Sequence, residues 1–286
     1  MRLRHKTGTD EWADPQPRPY ISRMNSRFAF SSAYRLNTLA RQLSSTPLRN
    51  NMANNLTLYT WGTPNGHKAS ITLEELGLTY KTEKLNIMTD IQKEPWFLEI
   101  NPNGRIPAIK DGDLRVFESG AIMLYLVDKY DKDHKISYPH GSDLYYEMVS
   151  WLMFQMGGIG PMQGQANHFV AFAKARSDYA IERYVTETKR LYSVLEIRLS
   201  SHDWLAGDKF TLADIANFSW VRAGPNLLID LGEWPGVQKW VDRIAAREGV
   251  QRGLNVPPPT RTPEETKAAW AGMRNRVASM ENTDKH

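Results

Sequence analysis

Apolar and polar residues alternate over Leu56-Thr57-Leu58-Tyr59-Thr60, a period of two that predicts a strand with one buried face. The period then lengthens to that of a helix over 65–76 and stops at Gly77, a residue suited to end one. A strand is expected over 79–86 and a helix around 91–100. Two short apolar runs, 107–110 and 114–117, flank Asp111-Gly112 and predict a hairpin, with a helix over 119–129 behind it.

Past a polar linker, Asp131–Ser142, the period is helical to about residue 255. Ile181, Tyr184/Val185, Thr188, Leu191/Tyr192 and Leu195 fall on one face of a long core-facing helix. "FTLADI" (210–215) is a capping box: Thr211 caps, Asp214 returns the bond, and Phe210 staples against Ile215. "TPEETKAAWAGM" opens a last helix in the same way, with Thr262 as cap, Pro263 at the first position and Glu265 completing the box. Its apolar stripe, Ala269/Trp270, Met273, Val277 and Met280, predicts docking on the chain's own body rather than on a partner. "GGIGPMQGQANHF" (157–169) is expected to break the first helix of this half with two glycine-rich turns.

The order β-α-β-α-β-β-α followed by helices alone predicts an α/β thioredoxin-like N-terminal domain and an all-α C-terminal domain. The expected limits are an N-terminal extension over 1–54, an α/β domain over 55–132, a helical domain over 142–256 and a tail with a short helix over 257–286. The chain contains no cysteine, which excludes disulfide frameworks, Cys-rich zinc sites and Cys-x-x-Cys redox chemistry. Its seven histidines (5, 67, 134, 140, 168, 202, 286) include no His-x-x-x-His pair, so no metal is expected. No apolar run approaches the roughly 18 residues of a membrane span.

The formal net charge of +4 is unevenly placed. Residues 1–54 carry nine Arg/Lys and three acids, leaving 27 basic against 29 acidic residues in 55–286. The body therefore makes no electrostatic case for nucleic acid. Residues 24–54 hold four arginines, no acid and much Ser, Ala and Leu, the composition of a mitochondrial transit peptide over 24–43, with cleavage near Ser44. A disordered tail is the alternative. A chain begun at Met24 would be targeted and one begun at Met52 cytosolic, so the expected location is cytoplasmic, mitochondrial or both.

Three local features carry chemistry. "WGTPNGHK" (61–68) places the Thr63 hydroxyl and the Asn65 amide at a helix N-terminus, which favours an anion. "NPNGRIPAI" (101–109) puts Pro107 at the start of a strand, where thioredoxin-like folds have a cis proline and turn the preceding backbone, here Ile106, toward an extended peptide. "FESGAI" (117–122) sets Glu118 and Ser119 at another helix start, where Ser119 suits a carboxylate and Glu118 an ammonium. Taken alone, Glu118-Ser119 is simply a helix cap. Together the three match the thiol, peptide backbone and γ-glutamyl end of glutathione. His67 reads as a first-turn surface residue rather than a general base.

Over residues 55–256 the sequence resembles the glutathione transferases. "TPNGHK", "NPNGRIPAI", "FESGAIMLYL", "GGIGPMQGQANHF", "ERYVTETKRLYSVL" and "FTLADIANFSWV" are similar to the nu class of bacteria and, equally, to the fungal relatives of the nitrogen-catabolite regulator. The resemblance implies Thr63 and Asn65 as the sulfur contacts. It brings Gln92, Arg105, Ile106, Pro107, Glu118 and Ser119 into the glutathione site, with Gln92 and Arg105 at the glycyl carboxylate. It places Met162, Gln165, Asn167 and His168 on the wall of the second-substrate cleft. The alternative stands beside it that Met162 is core and His168 a structural histidine. The implied activity is disulfide or peroxide reduction by bound glutathione thiolate; conjugation to small electrophiles and a non-catalytic regulatory protein are the alternatives. Glutathione or oxidised glutathione is the implied ligand and a homodimer the implied assembly.

Overall fold

The structure is a computed structural model and describes residues 55–285; the expected targeting segment lies outside the described residues. Strand β1 (Leu56–Thr60) alternates as its sequence requires, with Leu56, Leu58 and Thr60 buried. Helix α1 (Pro64–Glu75) follows, capped by Thr63, whose side chain accepts from the Gly66 N–H, with Pro64 at the first helical position. Strand β2 (Lys81–Lys84) is exposed along its length and shorter than expected, an edge strand of alternating charge.

The helix expected around 91–100 is instead a 3-10 turn, Ile91–Lys93, and a separate single turn, α2 (Pro95–Leu98). Pro95 explains the division: it has no N–H to donate backward, and it holds Glu94 extended at ψ 144°. The hairpin β3 (Ala108–Asp111) and β4 (Leu114–Phe117) forms as expected, and α3 (Ser119–Tyr130) returns over it. The sheet order is β2-β1-β3-β4, with β1 parallel to β2 and antiparallel to β3. Registers Thr60↔Lys84, Tyr59↔Ala108 and Ala108↔Phe117 bring the ends of β1, β2 and β4 and the start of β3 to one edge of the sheet.

The helical half opens with α4 (Asp143–Phe154), capped by Ser142. The glycines at 157 and 158 do not break it, contrary to the sequence expectation. A π-helical turn, Gln155–Ile159, leads into α5 (Gly160–Asn167), and a second, His168–Phe172, follows without interruption. Pro161 cannot donate to the carbonyl four residues back, and the wide turn before it accommodates that loss. The long helix α6 (Asp178–Leu199) buries Thr188, Leu191, Tyr192 and Leu195, the face expected of it. Helix α7 (Leu212–Val221) is buried throughout and starts on the Thr211–Asp214 capping box. Helices α8 (Pro235–Ala245), α9 (Glu248–Leu254) and α10 (Pro263–Ala278) complete the chain.

Helix α1 is wedged between the two halves. Its Ala69 and Leu73 pack with Leu56, Leu58, Ile109, Ile122 and Leu126 under the sheet, while Ile71 joins the large core of the helical half. Helix α9 approaches so closely that a Cβ on Gly253 would lie 2.5 Å from the Ile71 Cα. Helix α10 docks on the chain's own body as expected: Val277 is buried, Trp270 meets Phe172 edge-on, and Arg276 donates to the Ala171 and Ala173 carbonyls.

Candidate functional site

The sheet register assembles the site. The segment after β1 carries Thr63 and Asn65, the segment before β3 carries Ile106-Pro107, and Glu118-Ser119 follows β4, so all three leave the same edge. Gly66 is needed at this edge because a Cβ there would sit 2.2 Å from the Trp61 carbonyl oxygen and 2.5 Å from Thr60 Oγ1. The first turn of α1 can therefore lie directly against the end of β1.

Thr63 Oγ1 accepts from the Gly66 N–H at 3.1 Å, which leaves its own hydrogen to donate elsewhere. Asn65 is fixed from across the molecule: Trp220 Nε1, near the end of α7, donates to Asn65 Oδ1 at 2.9 Å. An indole N–H is a donor only, so the amide must present its oxygen to Trp220 and its NH₂ group to the other side. Among the described residues neither that NH₂ group nor the Asn65 backbone N–H has an acceptor. Two donors and the positive end of α1 thus share one spot, an arrangement that stabilises an anion.

The Ile106–Pro107 bond is cis, as expected. Among the described residues the Ile106 backbone makes no hydrogen bond, while Asn101 Nδ2 holds the neighbouring Arg105 carbonyl at 2.6 Å. Glu118 is exposed at φ +69°, outside the ordinary range for a side-chain-bearing residue, and accepts from Asn103 Nδ2 at 3.4 Å. Ser119 is buried at the first position of α3. Arg105 is exposed on the same loop.

Gln92 departs from its expected role. It is buried, and its Nε2 donates to the Ile87 carbonyl and Asp90 Oδ1, both at 3.3 Å. The atom it leaves unpaired is Oε1, an acceptor, whereas a carboxylate needs a donor. The residues expected on the second-substrate wall do not share one face. On α5 the face against Trp220 carries Gly160 and Gly164, with Asn167 one turn on and its Oδ1 buried without a partner. At about 100° per residue Met162 and Gln165 lie away from that face. Met162 instead lines an open recess of about 660 Å³ with Tyr179, Glu182, Arg183, Tyr184, Thr186 and Glu187 of α6. His168 is exposed.

Three residues of the site escape a sequence reading. Lys68 is buried on α1, with Nζ donating to Ser119 Oγ at 3.2 Å, to Gln155 Oε1, and lying 3.3 Å from Met156 Sδ. Burial lowers its pKa to about 7, with Glu118 opposing the shift. A lysine is by default a surface residue, and nothing local marks this one as internal. Gln155 and Trp220 come from 87 and 155 residues away from their partners; Gln155 lies in no motif, and Trp220, although inside "FTLADIANFSWV", carries no local sign of its bond to Asn65. His67 is buried as well, contrary to expectation, and burial with the nearby Arg222 charge holds its pKa down to about 4, so it is neutral. Among the described residues no group of His, Asp and Glu side chains has the arrangement of a metal site.

The description "Glutathione S-transferase, N-terminal domain" matches residues 54–128, and "Glutathione S-transferase, C-terminal domain" matches residues 160–248. The chain is 42% identical over 204 residues to the disulfide-bond oxidoreductase YfcG of Escherichia coli K12, covering 69% of this chain and 93% of the relative. A glutathione transferase homologue from Lodderomyces elongisporus, solved with two glutathione molecules per subunit, has 46% identity and a TM-score of 0.69, covering 71% of this chain and 99% of its own. The transferase URE2P8 of Phanerochaete chrysosporium, solved with oxidised glutathione, has 35% identity and a TM-score of 0.68, covering 70% of this chain and 94% of its own.

Proposed function

The chain belongs to the glutathione S-transferase family, and from that premise we propose that it holds glutathione as a thiolate at Thr63 and Asn65 and uses it to reduce disulfides. The observation that carries this reading is the Trp220–Asn65 hydrogen bond, which aims an amide donor at the N-terminus of α1. Asn65 cannot act as a base, so its contribution is electrostatic. Each unit by which the thiol pKa falls takes about 1.4 kcal/mol of preferential thiolate stabilisation.

In this reading Ile106 pairs with the ligand backbone, Glu118 takes the γ-glutamyl ammonium, Ser119 the adjacent carboxylate, and Arg105 the glycyl carboxylate. The chain has no cysteine, so the attacking sulfur is the ligand's own. The bound thiolate attacks one sulfur of the substrate disulfide, the S–S bond breaks, and a thiolate leaves and takes a proton. A second glutathione thiolate then attacks the mixed disulfide, ending as oxidised glutathione with release of the second substrate thiol. The relatives bearing two glutathiones and oxidised glutathione support this sequence of steps. A homodimer belongs to the same proposal, supported by the exposed Tyr146 and Met153 on one face of α4.

The full chain assayed with glutathione and a small disulfide, a hydroperoxide and an aryl halide tests the reading. Disulfide turnover should be fastest. Fast conjugation without disulfide turnover would replace reduction by transfer while keeping the site.

A further inference from the structure

Lys68 has 1% of its surface exposed, yet its ammonium is met by neutral groups: the Ser119 hydroxyl, the Gln155 amide oxygen and the Met156 thioether. A buried ammonium without a bonded counter-ion is unfavourable, and it is relieved either by losing its proton or by gaining an anion. The acid whose field reaches Lys68 is Glu118, but that side chain is exposed and turned to Asn103. The π-helical turn brings Gln155 and Met156 inward at this point, and Gln155 Nε2 is left buried without a partner. A costly charge and an unsatisfied amide are therefore both maintained beneath Ser119.

Ser119 transmits that charge outward. Its Oγ accepts from Lys68, which leaves the hydroxyl hydrogen free to be donated. The alternative acceptor is Met156 Sδ at 3.6 Å, a weak one that an oxyanion would displace. The first N–H groups of α3 lie at the same place.

We propose that Lys68 is the buried counter-charge for a carboxylate received at Ser119, so that ligand binding captures the ammonium form of Lys68 and takes up a proton from solvent. The proposal rests on the reading of Ser119 as the γ-glutamyl end of a glutathione site. Lys68 is a positioning residue in this scheme, since it acts through Ser119.

The charged groups around it are few. Helix α3 presents Glu118 at its start, the turn 155–159 has no titratable side chain, and α1 itself presents His67, neutral with a pKa of about 4. Helix α7 presents Asp214 at its start, enclosed by the Leu205 and Thr211 N–H groups and Trp240, with Arg222 just past its end. On α9, Arg252 pairs with Glu74 and with Glu248, while Arg247, just before α9, pairs with Glu75. His67, held down to about 4, and Asp214, raised to about 6, both lie below pH 7, whereas Lys68 with a pKa of about 7 changes protonation as the pH rises from there.

S-methylglutathione separates this from thiol ionisation, because it has no thiol proton. Calorimetric titration of the full chain at pH 8 in buffers of different ionisation enthalpy should show uptake of about one proton per ligand. The Kd should weaken with rising pH above 7, by up to about tenfold per unit. Lys68→Met should bind more weakly at pH 7, take up no proton and show a flat Kd over that range. If that variant does not fold, the ¹⁵Nζ chemical shift of Lys68 in the wild-type chain should move to the ammonium value on ligand addition at pH 8. Ligand binding without proton uptake, or uptake that persists in Lys68→Met, overturns the role of Lys68 and leaves the glutathione site standing. Failure of S-methylglutathione to bind overturns the glutathione reading itself.

Discussion

Trp220 Nε1 donates to Asn65 Oδ1 across 2.9 Å, joining residues 155 apart in the chain and deciding which end of the Asn65 amide faces the cleft. Free to rotate, the amide would offer its oxygen or its NH₂ group to the α1 N-terminus alike. With the indole occupying the oxygen, only the donor is offered. The helical half thereby sets the chemistry of a residue that belongs to the α/β half.

Trp220→Phe tests that coupling. It keeps an aromatic ring at the end of α7 and removes the indole donor. Loss of one hydrogen bond worth about 1 kcal/mol should lower kcat about fivefold and raise the bound thiol's pKa. Ultraviolet titration of the bound thiolate measures the shift.

Asn65→Ala and Ser119→Ala should separate kinetically. In the proposed site Asn65 faces the ligand sulfur, so its loss should lower kcat by about tenfold or more with a smaller change in glutathione KM. Ser119 lies at the other end, so its loss should raise KM about tenfold and leave kcat nearer wild type. Steady-state kinetics with one disulfide substrate decides; if both variants retain wild-type constants, the assignment of the site is wrong.

Disulfide turnover should survive treatment of the enzyme with a thiol-alkylating reagent, once the reagent is removed, because the chain has no cysteine. At saturating glutathione the rate should rise with pH until the bound thiol is ionised. A rate abolished by alkylation would point to modification at a residue other than cysteine and against a ligand-borne nucleophile.

The ligand-free fold should carry the cost of Lys68 in its pH dependence. The folded pKa, about 7, lies below the 10.5 of an exposed lysine, so the unfolded chain binds more protons between those values. Stability relative to Lys68→Met should therefore rise with pH across that window, by at most about 1.4 kcal/mol per unit, and level off outside it. Urea denaturation of both proteins at pH 7 and pH 9 measures the difference.

Asp214 should be among the most sensitive positions for stability. It is fully buried and accepts from the Leu205 and Thr211 N–H groups, the Thr211 hydroxyl and Trp240 Nε1. Asp214→Ala strands those donors in the core and should cost about 3 kcal/mol or more. Burial raises its carboxyl to about 6, above the ordinary value, so part of the folded state's preference is for the protonated form. Asp214→Asn should accordingly be milder than Asp214→Ala in the same urea experiment.

Much of the fold is legible in the residues. The alternation over 56–60, the hairpin about Asp111-Gly112 and the caps at Thr211 and Thr262 are set by neighbours within a few positions, and each forms where the pattern puts it. Legibility fails where a local signal competes with packing. Gly157 and Gly158 read as breakers, but burial of Ile159 and Gly160 among the helices holds the chain helical through a π turn. Pro95 has the opposite effect, ending a helix that the apolar period alone would extend.

The candidate site divides along the same line. Thr63, Asn65, Ile106-Pro107 and Glu118-Ser119 are recognisable as candidates because helix starts and a strand-opening proline are marked in the local sequence, and the sheet register brings their segments to one edge. Local pattern has no access to what lies across the interface between the two halves. There Lys68 is enclosed beneath Ser119, Gln155 turns inward to meet it, and Trp220 orients Asn65. Each of those outcomes is a balance of desolvation against a hydrogen bond from a distant partner, and that balance exists only once the two halves are packed together.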